Sequence, residues 1–425
     1  MKHTQERSRR ARARASRRSR ASRLVVGGAL ATAIAVTGVV TATPATAGSG
    51  GRYTFLDANG AYWGVNFAGA TAAELAFVAD TDGNGMQELG GYNNGRFTVR
   101  SDDGAYWGVS IPGAGRAEIP LAIDTDGDHK QELALYNNGR FTVRAADGSL
   151  WGIDFAGAGN LDLPVAADTD GDGRQEFGVY RAGRFTFRRD DNSYWGVDFT
   201  GAGANDLPLV IDTDADHKQE LAVYNNGRFT IRNDAGGYWG LNFTGAGIGD
   251  YPLAVDTNHD GRQELAVYNH VATQVYARQI LANPAIGTSY SATVRQDLQA
   301  AAVGAVGTGG TSMMSSAIAE VIVTAAHGHS LTINALQSGG GGHMDGSQHY
   351  SGDAVDFGLL DGAPFRTWTS PWFSVVESFL PILPNGSNVG QGQCPGAHPT
   401  RSGVTYLRTD PCTHLHVDVP SSSPR

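Results

Sequence analysis

A period of 44 residues governs positions 51–270 and limits what this chain can fold into more than any other feature. Trp63, Trp107, Trp151, Trp195 and Trp239 stand 44 apart, and so do Asp80, Asp124, Asp168, Asp212 and Asp256. Gly-Arg pairs at 51, 95, 139, 183 and 227 keep the same step, so five copies follow one another without insertion. Each copy reads as four short strands. In the second these are RFTVR, YWGVSI, IPLAID and QELALY, which alternate apolar and polar side chains and are separated by Gly, Asp and Asn turns. Four strands in about 44 residues is the size of one β-propeller blade. A single blade cannot bury its apolar face, so neighbours must stack. Five four-stranded blades closing a ring are expected, with an open array as the alternative.

Between the third and fourth strands lies a carboxylate-rich loop, read as DTDGNGMQE, DTDGDHKQE, DTDGDGRQE, DTDADHKQE and DTNHDGRQE in the five copies. Positions 1, 3, 5 and 9 carry oxygen donors. These are Asp80, Asp82, Asn84 and Glu88; Asp124, Asp126, Asp128 and Glu132; Asp168, Asp170, Asp172 and Glu176; Asp212, Asp214, Asp216 and Glu220; Asp256, Asn258, Asp260 and Glu264. A hard cation such as calcium takes six to eight oxygens, which close-spaced carboxylates on a tight turn can supply. Solvated acidic turns without metal are the alternative. The loops resemble those of FG-GAP and VCBS repeats, which form calcium-binding propellers in integrin-like and bacterial surface proteins. That resemblance implies Ca2+ in the repeats. The pattern departs in having Glu at position 9 and, in two copies, His at position 6 where Gly helps the turn. The recurrent Tyr-Trp-Gly, Leu-Trp-Gly in one copy, offers rings that can stack on sugars. A repeated aromatic is first expected to fill the space between blades.

The ends of the chain differ from its middle. Residues 1–47 hold ten bases and one acid, out of 32 basic and 42 acidic residues in all, so the remainder is strongly acidic, near -19. That excludes a cationic nucleic-acid surface on the mature protein. The basic stretch precedes the apolar run LVVGGALATAIAVTGVV (24–40) and then Ala45 and Ala47 in an Ala-x-Ala arrangement. Together these read as a secretory signal, with Arg17-Arg18 a poor fit to a twin-arginine motif. A secreted monomer, off the membrane after cleavage, is the expectation. The only cysteines, Cys394 and Cys412, are expected to pair in an exported protein.

After Asn269 the repeats stop. TVRQDLQAAAVGAV and SMMSSAIAEVIVTAAHGH have helical patterns, with Met314, Ile318, Val321, Ile322 and Ala325 on one face. LTINALQS alternates as a strand, so residues 271–425 are expected to be α+β. Beyond it come SQHYSGDAVD (347–356) and, sixty residues after Asp356, His416 within HLHVDV. On a strand, His414 and His416 face one way. His349, Asp356 and His416 make a sufficient ligand set for catalytic zinc, with a fourth position left for water. His414 is then near enough for acid–base work.

SQHYSGDAVD fits Ser-x-His-x-x-Gly-x-Ala-x-Asp, a signature of D-Ala-D-Ala metallopeptidases. His-x-His resembles the second signature of the wider superfamily that includes lysostaphin and Sonic hedgehog. The resemblance implies that His349, Asp356 and His416 bind zinc, that His414 is catalytic, and that the substrate is a peptidoglycan stem peptide or cross-bridge. Thr413-His414-Leu415-His416 replaces the Glu-x-Trp-His of the carboxypeptidases, and SGGGGHMDGS has no arginine for a substrate carboxylate, so an endopeptidase is expected. Arg366 or Arg401 could substitute for that arginine. His343 and His398 read as surface histidines. The contrasting expectation is a non-catalytic binder of glycan or protein with a metal-stabilised C-terminal domain.

Overall fold

The computed structural model describes residues 51–69, 74–287, 292–337, 346–407 and 412–421, within a unit running from Pro44 to Arg425. The secretory-signal reading of residues 1–47, with Arg17-Arg18, and the reading of His343 lie outside the described residues. Among the described residues no helix is long and apolar enough to cross a membrane.

Alternation builds the blades. In Arg96–Arg100 and its equivalents the apolar residues are buried and the arginines half or fully exposed. Phe97, Phe141, Phe185 and Phe229 are completely covered. Leu75–Ala79, Glu88–Asn93, Arg96–Arg100 and Tyr106–Ser110 pair in that order as one antiparallel sheet, and three further sheets repeat it. The fifth sheet joins both ends of the array: Tyr251–Val255 and Glu264–Tyr268 pair on to Arg52–Leu56 and Tyr62–Asn66. Tyr53 lies opposite Tyr268 and Phe55 opposite Ala266. The ring is therefore closed, with five blades, and the open array is excluded.

Sequence copy and blade are out of phase by two strands. Each blade takes its two inner strands from one copy and its two outer strands from the next.

Blades are bonded to each other side by side. The second-strand tyrosines Tyr92, Tyr136, Tyr180 and Tyr224 donate to the carbonyls of Gly115, Gly159, Gly203 and Gly247. On the outermost strands, Tyr106, Tyr194, Tyr238 and Tyr62 accept from the N–H of Ala68, Ala156, Thr200 and Thr244. At the remaining junction the equivalent backbone position is Pro112, which has no N–H to give, and Leu150 stands where the other copies have tyrosine.

The tryptophans fill little of the space between blades, although Trp151 meets Phe177 of the next blade edge-on at 6.0 Å. Trp63, Trp107, Trp151 and Trp239 are 39–43% exposed on the outermost strands. Trp63 stacks one face on Phe55, with centroids 4.3 Å apart. The buried aromatics are the phenylalanines and tyrosines nearer the axis. At Trp195 the Arg189 guanidinium lies over the ring, 5.6 Å from its centroid.

Among the described residues four α-helices and a sixth sheet follow: α1 (Thr273–Ala282), α2 (Ala292–Ala301), α3 (Ser316–Ala325) and α4 (Trp372–Phe379). The Ser315 hydroxyl caps α3 by accepting from Ala317 N–H, and Ile318, Val321, Ile322 and Ala325 form its buried face. The sheet runs Ile286–Gly287, Leu331–Ala335, Ala354–Leu360, Leu415–Asp418, Ser387–Val389, Val404–Tyr406, with Ala363–Pro364 beside Ala354–Leu360. The region is α+β.

Helix α1 has no counterpart in the sequence reading. All of Thr273–Ile280 is buried, because the helix lies against the loops that lead into the innermost propeller strands. Arg278, fully buried, donates to the carbonyls of Asp162, Ala117 and Ala302. Tyr276 donates to Ile248 O and Gln279 to Asn205 O. One apolar cluster continues from Leu209 and Val267 in the blades through Val275 and Ile280 to Ile333, Phe357 and Leu415. The acidic loops leave the opposite ends of the innermost strands, on the far face of the ring.

Candidate metal centre

Strand register builds the centre. Asp356 lies directly opposite His416 on the neighbouring strand and opposite Ala335 on the other side. His349 arrives from the turn before Ala354–Leu360, and its Nδ1 lies 2.6 Å from the carbonyl of Leu336. A carbonyl only accepts, so Nδ1 carries the proton and the Nε2 lone pair faces the carboxylate. Asp356 Oδ1 is 3.4 Å from His349 Nε2, 2.8 Å from His416 Nδ1 and 3.7 Å from His414 Nε2. One carboxylate oxygen thus sits among three imidazole nitrogens. His349, Asp356 and His416 offer donor atoms all within 4.8 Å of one another. Two imidazoles and a carboxylate suit zinc, and the main-chain partner of His349 is the outer contact that orients such a ligand.

The electrostatics match a cation site. Burial pushes the Asp356 carboxyl up, but the imidazoles of His349 and His416 beside it outweigh this and hold it well below the usual carboxylate range. Burial pushes His416 down, yet its bonds to Asp356 and Asp418 prevail and bring it up to about 10.

His414 is more open, 24% exposed at the side chain, with Nδ1 3.2 Å from the Thr413 hydroxyl. Gln391, fully buried, donates through Nε2 to His414 O and fixes the start of that strand. Sequence reading missed both Gln391 and Asp418. For Asp418 the signal was present: the alternation that aligns His414 with His416 reaches Asp418 as the next residue on the same face.

Cys394 and Cys412 are joined as a disulfide, Cα atoms 5.8 Å apart, closing the loop that leads into Thr413–His416. Arg401 is not placed to hold a substrate: it donates to the carbonyls of Leu380 and Leu383 after α4. Arg366 donates to Cys412 O, close in sequence to His414. His398 is no free surface group: its ring stacks on Tyr406 at 3.8 Å and meets Trp368 edge-on.

In the propeller, the position-1 carboxylates are turned into the loop. Asp80 accepts from the N–H of Gly83, Asn84 and Gly85, and its equivalents do likewise. Position 9 accepts from the Thr at position 2 through both N–H and hydroxyl, as Glu88 does from Thr81. The close oxygen groups are Asp82, Glu88 and Asp102; Asp124, Asp126 and Asp128; Asp168, Asp170 and Glu176; and Asp212, Asp214 and Asp216. Asp102, from the neighbouring strand turn, was not foreseen. Asp80, Glu132, Asp172 and Glu220 stay outside these groups, and Asn84 directs its NH2 to Asp82 and Asp102. In the fifth loop, Asn258 Nδ2 donates to Glu264 Oε1, and among the described residues Asp256 and Asp260 join no such group.

The repeated Gln at position 8 has an unforeseen role. Its side-chain oxygen accepts from the position-1 Asp N–H of the preceding copy, and its own N–H donates to that residue's carbonyl. Gln87 makes the same pair with Asp256, so the chain of bonds closes on itself.

No family model and no curated protein matches the sequence. Among solved structures, the chain is similar to an Agrocybe aegerita lectin at 13% identity, over 52% of this chain and 71% of the lectin, with TM-score 0.32. It is also similar to virginiamycin B lyase from Staphylococcus aureus at 8% identity, over 51% and 73%, with TM-score 0.30.

Proposed function

We propose that the chain is a secreted zinc metallopeptidase that hydrolyses peptide bonds of bacterial peptidoglycan, as an endopeptidase, with the propeller as its targeting and calcium-binding part. The observation that carries this reading is the convergence of His349, His414 and His416 on one oxygen of Asp356. His349 Nε2, Asp356 and His416 Nδ1 would hold zinc, which when bound would supply Lewis-acid polarisation of a carbonyl and acidification of water. His414 Nε2 is placed to carry a proton to or from the reacting group. The Leu336 carbonyl keeps His349 in the ligating tautomer, and Gln391 keeps His414 in position. The disulfide supports an exported protein.

The test uses the full mature chain. Zinc content is measured first, then peptide release from purified cell walls. His414→Ala is expected to keep zinc and lose at least a hundredfold in rate, in line with a general acid–base role. Unchanged release by His414→Ala, or no zinc-dependent release from any wall type, overturns the reading.

One observation favours glycan binding by the propeller: the row of outward tryptophans. Wall glycans are expected to change the intrinsic fluorescence of the full chain, and Trp107→Ala with Trp239→Ala to weaken the change. A response unaffected by both substitutions rejects that role.

A further inference from the structure

The second nitrogen of His416 is not left to solvent. Its Nε2 lies 3.1 Å from Asp418 Oδ2, and the other oxygen of that carboxylate accepts from Asn388 Nδ2 at 2.7 Å. Asp418 is 6% exposed. Register produces the arrangement: Asn388 is the cross-strand partner of Asp418, one row away from the pair Asp356 and His416. Three side chains therefore form a line, Asn388 to Asp418 to His416, that ends at the nitrogen facing Asp356.

The polarity of this line is determined by the Asp418 carboxylate, which only accepts and so takes a hydrogen from each side. An amide NH2 only donates, so it occupies Asp418 Oδ1 and leaves Oδ2 as an acceptor. Oδ2 in turn requires a hydrogen on His416 Nε2. With Nε2 engaged by Asp418, Nδ1 is the ring nitrogen that faces Asp356 and the centre. We propose that Asp418, oriented by Asn388, is a positioning residue of the metal centre that locks His416 in the tautomer whose Nδ1 lone pair ligates. This rests on the zinc reading above.

Asp418→Asn removes the carboxylate that demands a hydrogen on His416 Nε2 and leaves two arrangements open. If its amide oxygen faces His416, its NH2 faces Asn388, which must turn its own amide over to accept it. If its oxygen faces Asn388, its NH2 meets His416 Nε2 and favours a hydrogen on Nδ1, which blocks ligation. The double exchange Asn388→Asp with Asp418→Asn restores a consistent line, since the amide introduced at position 418 can then donate to the carboxylate at position 388 and accept from His416.

The experiment measures zinc affinity of the full chain by chelator competition at one pH, and the visible absorption of the cobalt-substituted protein. Asp418→Asn is expected to lose about 10–100-fold in affinity, the usual cost of removing an outer partner of a ligating histidine, with a shifted cobalt spectrum. The double exchange is expected to recover most of both, which a merely structural role would not predict. Wild-type affinity and spectrum in Asp418→Asn overturn the inference alone. A wild-type chain that takes up no zinc overturns the metal reading and this inference with it. If Asp418→Asn does not fold, the double exchange decides: wild-type affinity supports the line, and an affinity well below wild type overturns it.

Discussion

Individual residues in the acidic loops sit under a backbone constraint that their identities only partly meet. Positions 4 and 6 are left-handed in every copy. Gly171 and Gly173 occupy them in the third, but Ala215 and His217, at φ 65° and 71°, occupy them in the fourth. A side chain with a Cβ pays roughly 1–2 kcal/mol in this region, partly offset by the flexibility that glycine adds to the unfolded chain. Ala215→Gly is therefore expected to stabilise the protein by about 1 kcal/mol, read from the denaturant midpoint. Gly171→Ala is expected to do the reverse, because the added Cβ would also come within 2.6 Å of Lys218 Cε. The glycine-rich pattern of these loops was legible, and so were His349, Asp356 and His416, whose spacing is short and strict. Gln391 was not: it acts from a separate segment by donating to a main-chain carbonyl, a contact that leaves no periodic trace.

Among the elements, strands were easier to foresee than their grouping. Alternation marks each strand, but a perfect repeat carries no mark of where a blade begins, so the two-strand offset emerged only from the pairing. Helix α1 was invisible for a different reason. TQVYARQILA is covered on all sides, so it lacks the one-sided apolar stripe by which helices are recognised. The junctions between elements carry their own prediction. Gln131 supplies the acceptor for the main-chain N–H of buried Asp80. Gln131→Ala strands that donor and is expected to cost about 1–3 kcal/mol. A matched substitution at Gln87, which pairs the last copy with the first, is expected to cost a similar amount. Urea titration of both variants checks this, and a loss at only one would show that the five junctions are not equivalent.

At the scale of the whole molecule, propeller and α+β region share one core, and ionisable groups lie at their contact. Burial pushes Asp250, in a propeller loop, up to about 6, and pushes Glu320 of α3 up to about 8, with the Asp250 charge adding to it. The folded form thus holds protons that the unfolded chain releases near pH 4. By linkage, this contribution is full below about pH 4 and is lost as pH rises towards 8. Glu320→Gln is expected to flatten that decline and to raise the melting temperature at pH 8 more than at pH 5. An equal shift at both values would remove Glu320 from the account. The same shared core determines how the chemistry must be assayed: cutting before α1 would uncover Val275, Tyr276 and Ile280.

The closing sheet has a consequence for biosynthesis. Arg52 and Asn269, bonded through Asn269 Oδ1, are 217 positions apart. The first hairpin emerges early, yet its partner strand, Glu264–Tyr268, is among the last parts of the array to be made. Until then an unpaired strand edge is available, a template for pairing with another copy. A chain truncated before residue 264 keeps that edge open and is expected to self-associate, whereas a chain that includes Glu264–Tyr268 can close the sheet.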